Sequence, residues 1–286
     1  MHTATANIRK KSDCTIFFCF FNTKVHAIGG KYSYLCSVKH KKERNLEMNY
    51  NEIDLRGLTA DQQLTMSQAF PVLMRKVYVW MTLALAITGF TAYAVANSPG
   101  ILQAIYTNQI LFWGLIIGEF ALVFGVSAAI NKLSLTTATL MFILYSVING
   151  ALLSYIFLAY TASSVATVFF ITAGTFAAMA IVGYTTKTDL SSMGKILFMA
   201  LIGLIIATIV NLFIKSSGFT LILSYVGVLI FVGLTAWDSQ KIKQMLLQAP
   251  DAGEGAQKLA LLGALMLYLD FINLFIYLLH IFGRRE

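Results

Sequence analysis

The chain has 286 residues, 58% of them hydrophobic and only 12% charged. A soluble domain of this size carries about 25% charged residues, so an ordinary water-soluble enzyme or binding domain is excluded. The formal charge of +8 belongs mostly to residues 1–47, where nine Lys or Arg face three acids; the rest holds twelve against ten, and no nucleic-acid surface is implied.

Residues 1–47 lack periodicity and read as a tail without packed structure, preceding a start of translation at Met48. All three cysteines (Cys14, Cys19, Cys36) and three of the four histidines lie there, without the paired spacing of a zinc site. Residues 48–74 are polar, with Glu52, Asp54, Arg56 and Asp61, and read as a cytosolic arm with at most a short helix. Residues 75–286 form the membrane domain.

Spanning structures are helices or closed barrels, and long unbroken apolar runs favour helices. Val77–Gly118 contains no charge and is broken at Asn97–Gly100, which gives helices near 75–97 and 108–130. Leu133–Thr186 is also charge-free and splits at Thr161–Ser164, giving 136–160 and 165–186. Three further runs, 196–214, 219–239 and 258–282, complete seven transmembrane helices. The three prolines (Pro71, Pro99, Pro250) fall between runs, where they break no helix. Gly114 and Gly118 form a small-residue pair suited to close helix packing. Lys and Arg cluster in alternate loops (Arg75, Lys76, Lys132, Lys187, Lys195, Lys241, Lys243, Lys258), which puts the amino terminus in the cytoplasm. Arg284 and Arg285 then lie on the wrong side, which leaves a re-entrant last segment open.

Three acids fall within or at the edge of spans: Glu119, Asp238 and Asp270. An acid at the centre of a membrane helix costs roughly 2.5 kcal/mol or more, so it should face protein or water. Asp270 sits deepest, with eleven uncharged residues before it and thirteen after. At about 100° per residue, Gly263, Met266, Asn273, Tyr277 and His280 share one arc of about 100° with it. The last helix therefore carries a polar stripe and reads as the central helix of the bundle. Asp238 has Ser224, Gly227 and Thr235 broadly on its side. If Asp238 and Asp270 meet, their protons are coupled, because like charges at contact do not both ionise cheaply. Two carboxylates are also hard oxygen ligands of the kind calcium prefers. No Lys or Arg falls in the interior of any span, and no protease, phosphate-loop or dinucleotide motif occurs, so nothing asks for an enzyme or a cofactor.

The segments Leu267–Leu279, around Asp270, and Trp237–Lys243, around Asp238, resemble the Bax inhibitor-1 family in its bacterial branch of YccA/YetJ-like members. The resemblance covers roughly residues 70–286. It implies six helices surrounding a central carboxy-terminal one, and a pH-sensitive aspartate latch, at Asp238 and Asp270, on a calcium leak through the bacterial inner membrane. It also matches Glu119 to an acid of helix two. Where relatives place an arginine near the end of that helix, this chain has only Lys132. The family further implies a membrane-bound AAA protease as partner, and with it an alternative reading as a non-conducting regulator.

Overall fold

A computed structural model describes residues 60–130, 132–249 and 253–284, with side chains from residue 69 onward. The expected tail 1–47 and the first part of the arm lie outside the described residues. The rest is helix and short connection: α1 (Ala60–Ala96), α2 (Pro99–Thr107), α3 (Gln109–Ala129), α4 (Leu135–Leu153), α5 (Ile156–Ala159), α6 (Ala162–Thr185), α7 (Ser191–Ile214), α8 (Ser217–Leu247) and α9 (Glu254–Phe282). Seven stretches are long and apolar enough to cross a membrane, with α4 and α5 acting as one. The chain is an all-α membrane protein with the seven spans expected.

The boundaries differ where charge was used as a stop signal. Helix α1 begins at Ala60 and carries Pro71 inside it, so this proline does not fall between runs. It forfeits one backbone hydrogen bond, at a cost of about 3 kcal/mol that the rest of a long helix absorbs. Pro99 instead starts the short α2, at the position where its missing N–H costs nothing. Tyr106 of α2 donates to the Leu152 carbonyl at 2.7 Å and fastens α2 to α4. Burial pushes that phenol up to about 12, so it keeps its proton. Helix α8 continues to Leu247, past Lys241 and Lys243. Lys241 lies 5.0 Å from the centre of the Trp237 ring, and Lys243 lies 5.0 Å from that of Tyr184.

Helix α9 differs from the others in burial. Over its most apolar eighteen residues it is 89% buried, against 17–56% for the other six spans. It packs against α8, α1, α6 and α4, in falling order of extent, whereas α3 reaches the bundle through α4 and α2, and α7 through α8. Outer faces are apolar and open: Ile110 is 85% exposed, Phe213 81% and Phe90 75%, as lipid contact requires. Among apolar neighbours in lipid, association depends on close contact, so small residues set the approach. A Cβ at Gly150 would stand 2.5 Å from the Thr88 carbonyl oxygen, where α1 meets α4. At Gly183 it would overlap the Ala236 backbone, where α6 meets α8. Gly114 and Gly118 play no such part within the chain, because a Cβ at either meets nothing within 4 Å.

Both ends of α9 are tied. At one end Glu254 accepts from the Leu135 amide at 3.0 Å and pairs with Lys258 at 2.9 Å. At the other, the Arg284 carbonyl accepts from Thr161 at 3.2 Å and its amide donates to Ser164 Oγ at 2.8 Å. Leu135 and Thr161 lie at opposite ends of the span Leu135–Ala159. The last segment therefore crosses the whole bundle and is not re-entrant. The α7–α8 hairpin closes through Lys215, the one non-glycine residue with positive φ among the described residues (φ 55°, ψ 35°). A left-handed non-glycine residue costs roughly 1–2 kcal/mol. Lys215→Gly should therefore stabilise the fold by about 1 kcal/mol, read as a raised unfolding midpoint in detergent micelles.

Candidate functional site

Two close contacts fix the register of the antiparallel pair α8 and α9. A Cβ at Gly263 would lie 3.0 Å from Ile242, and one at Gly227 would lie 2.7 Å from the Tyr277 ring, which also stacks on Phe231 with centroids 6.0 Å apart. Gly263, Asp270 and Tyr277 are spaced by seven and occupy one side of α9. Gly227, Phe231, Leu234, Asp238 and Ile242 form the matching side of α8 at spacings of three and four. In this register Asp270 lies level with Leu234–Thr235 and Asp238 with Met266–Leu267. Helical spacing thus places Asp238 and Asp270 on the matching sides of α8 and α9, about one helical turn, or roughly 5 Å, apart along the seam. Asp270 is 0% exposed and Asp238 1%.

The rest of the expected stripe continues outward from Asp270. Asn273 and Tyr277 are buried, and His280 is half-buried near the last turn. Asn273 donates to its own helix at Leu269 O (2.8 Å), while its Oδ1, also buried, has no hydrogen-bond donor among the described residues. Among the described residues no group of three or more His, Cys, Asp or Glu converges. A resident calcium takes six to eight oxygens, more than two carboxylates supply.

Glu119 and Lys132 are placed elsewhere. Lys132 is exposed in the turn after α3, an element packed on α4 and α2 and not on the α8–α9 seam. Glu119 is buried at the middle of α3 and accepts from Asn149 Nδ2 of α4. Tyr268 OH lies 3.1 Å from Asn149 Oδ1 and 2.7 Å from Thr88 Oγ1 of α1, where either hydroxyl can donate, and Thr88 Oγ1 lies 3.0 Å from Ser146 O. Tyr268 lies about 160° around α9 from Asp270. Helix α9 therefore has a buried polar group on each of two opposite sides at nearly one depth.

Sequence reasoning missed three members of this second cluster, Thr88, Asn149 and Tyr268, because none is charged. An amide deep in the apolar run of α4 was the available signal, since an unsatisfied amide there is costly. Gln240 was also missed. Its amide donates to Thr188 O (2.8 Å) and its Oε1 accepts from Leu190 N (2.9 Å), which clamps the α6–α7 connection to α8 two residues beyond Asp238.

Residues 71–286 match the family described as Inhibitor of apoptosis-promoting Bax1. The chain belongs to the Bax inhibitor-1 family. The inner membrane protein YbhL of Escherichia coli (strain K12) is 50% identical over 214 residues, which cover 74% of this chain and 92% of YbhL. An uncharacterised protein of Borreliella burgdorferi is 46% identical over 213 residues, 74% of this chain and 92% of that protein. One of Deinococcus radiodurans is 37% identical over 232 residues, 81% and 98% respectively. This Bax inhibitor-1 chain thus shares nearly the whole length of its relatives, and both aspartates lie within the matched region.

Proposed function

We propose that this Bax inhibitor-1 protein is a pH-sensitive calcium leak of a bacterial inner membrane, gated by Asp238 and Asp270. The observation that supports the reading is the burial of both carboxylates on the two helices, α8 and α9, that pack most extensively on each other. At low pH at least one carries a proton, and the seam stays packed. When both ionise, repulsion along the seam competes with the contacts of Gly227 and Gly263 that hold it. Two like charges about 6 Å apart repel by roughly 3 kcal/mol at an effective dielectric of about 20. The seam loosens, water enters beside the stripe, and a divalent cation is drawn to the carboxylates. Asn273, Tyr277 and His280 continue that stripe towards the far end. The lysine-rich end, with Lys76, Lys241, Lys243 and Lys258, faces the cytoplasm in this reading.

The test is calcium entry into proteoliposomes of the purified chain between about pH 5 and pH 8, because a coupled acid pair loses its protons as a unit. Flux should rise with pH. No calcium passage at any pH would sink the leak, and regulation of a membrane-bound AAA protease would become the reading to pursue.

A further inference from the structure

The chain of hydrogen bonds on the opposite side of α9 contains more contacts than protons. Tyr268 and Thr88 have one hydroxyl proton each. They make three contacts: Tyr268 with Asn149 Oδ1 (3.1 Å), Tyr268 with Thr88 (2.7 Å), and Thr88 with Ser146 O (3.0 Å). One of the three always lacks a proton. If the Tyr268–Thr88 contact lacks it, two hydroxyl oxygens oppose lone pairs at close range, the worst arrangement. Two arrangements remain. In the first, Thr88 donates to Tyr268, Tyr268 to Asn149, and Asn149 Nδ2 to Glu119, so every dipole points at the carboxyl. In the second, Tyr268 donates to Thr88 and Thr88 to Ser146 O, so the hydroxyls point away from Glu119.

These arrangements suit different states of Glu119. A donor on Asn149 Oδ1 polarises the amide and strengthens the Nδ2–H bond to an ionised carboxylate, as linked hydrogen bonds do in a dry interior. A neutral Glu119 exerts no such pull, and the stronger carbonyl acceptor at Ser146 then wins the Thr88 proton. The elements packed most closely on α3, α2 and α4, contribute Tyr106 and Tyr145 and contain no Asp, Glu, Lys, Arg or His; α9, which brings Tyr268, carries Asp270 on its opposite side. Tyr268 is itself held rigidly, with Phe142 and Tyr145 edge-on at 5.9 and 5.7 Å. Its hydroxyl can therefore change donor direction without moving the ring.

We propose that Tyr268 is a positioning residue whose hydroxyl, with Thr88 and Asn149, forms a two-state relay that reports the charge of Glu119 to α9 at the depth of Asp270. The relay needs no calcium passage to exist; that it tunes the gate rests on the leak proposed above. It makes Glu119 a second proton-sensitive group, acting through the side of α9 that Asp270 does not occupy.

The relay is tested on the full chain in lipid nanodiscs by pH-difference infrared spectroscopy. The carboxyl band of Glu119 is assigned by its loss in Glu119→Gln. With Tyr268→Phe, Glu119 should gain roughly tenfold in proton affinity, a displacement of about one pH unit in its midpoint; Thr88→Val leaves Tyr268 only Asn149 to donate to and should displace the midpoint in the opposite direction. Thr88→Ser keeps the hydroxyl and should restore the wild-type midpoint. Loss of packing alone would not separate Thr88→Ser from Thr88→Val in this readout. The relay is overturned if the Glu119 midpoint is the same in wild type, Tyr268→Phe and Thr88→Val, or if no Glu119 band changes with pH. Coupled infrared shifts without calcium flux would retain the relay and discard the leak. In a conducting chain, Tyr268→Phe should displace the pH profile of flux, and in the Glu119→Gln background it should have no further effect.

Discussion

Asp270→Asn should lower calcium flux at pH 8 by tenfold or more and leave what remains independent of pH. The change is nearly isosteric, so the packing of Gly263 and Tyr277 on α8 is retained. What it removes is charge. Without ionisation at position 270 the seam meets no like-charge repulsion, worth roughly 3 kcal/mol for charges about 6 Å apart, and stays closed. Asp238→Asn should act in the same way, and the double variant should be no more impaired than either single one. Neighbouring groups that act as one unit are not additive. Proteoliposome flux across the same pH range checks both statements. A double variant with the product of two independent losses would mean that the aspartates act separately.

Gly183→Ala should be the most destabilising single methyl in the bundle, by about 3 kcal/mol, the upper end for overpacking. The added carbon would overlap the Ala236 carbonyl, a backbone group that cannot rotate aside, and α6 and α8 would have to separate. Ala236 lies two residues from Asp238, so the displacement also reaches the acid pair. Gly174→Ala, on the same helix, supplies the control. A Cβ there meets nothing within 4 Å, and replacing an interior helix glycine with alanine gains about 0.5–1 kcal/mol. Unfolding midpoints in detergent should therefore move in opposite directions for the two variants.

The fold was legible because lipid imposes one rule on every span, a run of about twenty apolar residues. What that rule does not mark is where a helix ends. Helix α8 runs past Lys241 and Lys243, whose ammonium groups sit over the Trp237 and Tyr184 rings, and helix α7 starts at Ser191, ahead of Lys195. Pro71 sits inside α1, since a missing hydrogen bond is tolerable in a helix of 37 residues.

In the site, Asp270 and Asp238 were legible as lone charges in apolar runs, and the seven-residue spacing of Gly263, Asp270 and Tyr277 indicated a shared side. Glu119 was also visible, but not its surroundings. Its partners come from α1, α4 and α9, and their meeting depends on the close approach at Gly150, which no local pattern reveals. Tyr268 fell outside the polar stripe because it lies on the far side of the same helix.

The central claim is that Asp238 and Asp270 face each other across α8 and α9, and a metal bridge tests it most directly. Cys14, Cys19 and Cys36 are the only cysteines in the chain. With these changed to serine, Asp238→Cys and Asp270→Cys are introduced singly and together, and zinc binding is followed by calorimetry with a competing chelator. Two thiolates sharing a zinc at about 2.3 Å each come within roughly 4 Å of each other on binding it, which requires the two positions to share one seam. The double variant should bind one zinc per chain and unfold at a higher temperature with it, while neither single variant responds. Equal zinc binding in single and double variants would place the two positions apart and contradict the facing pair.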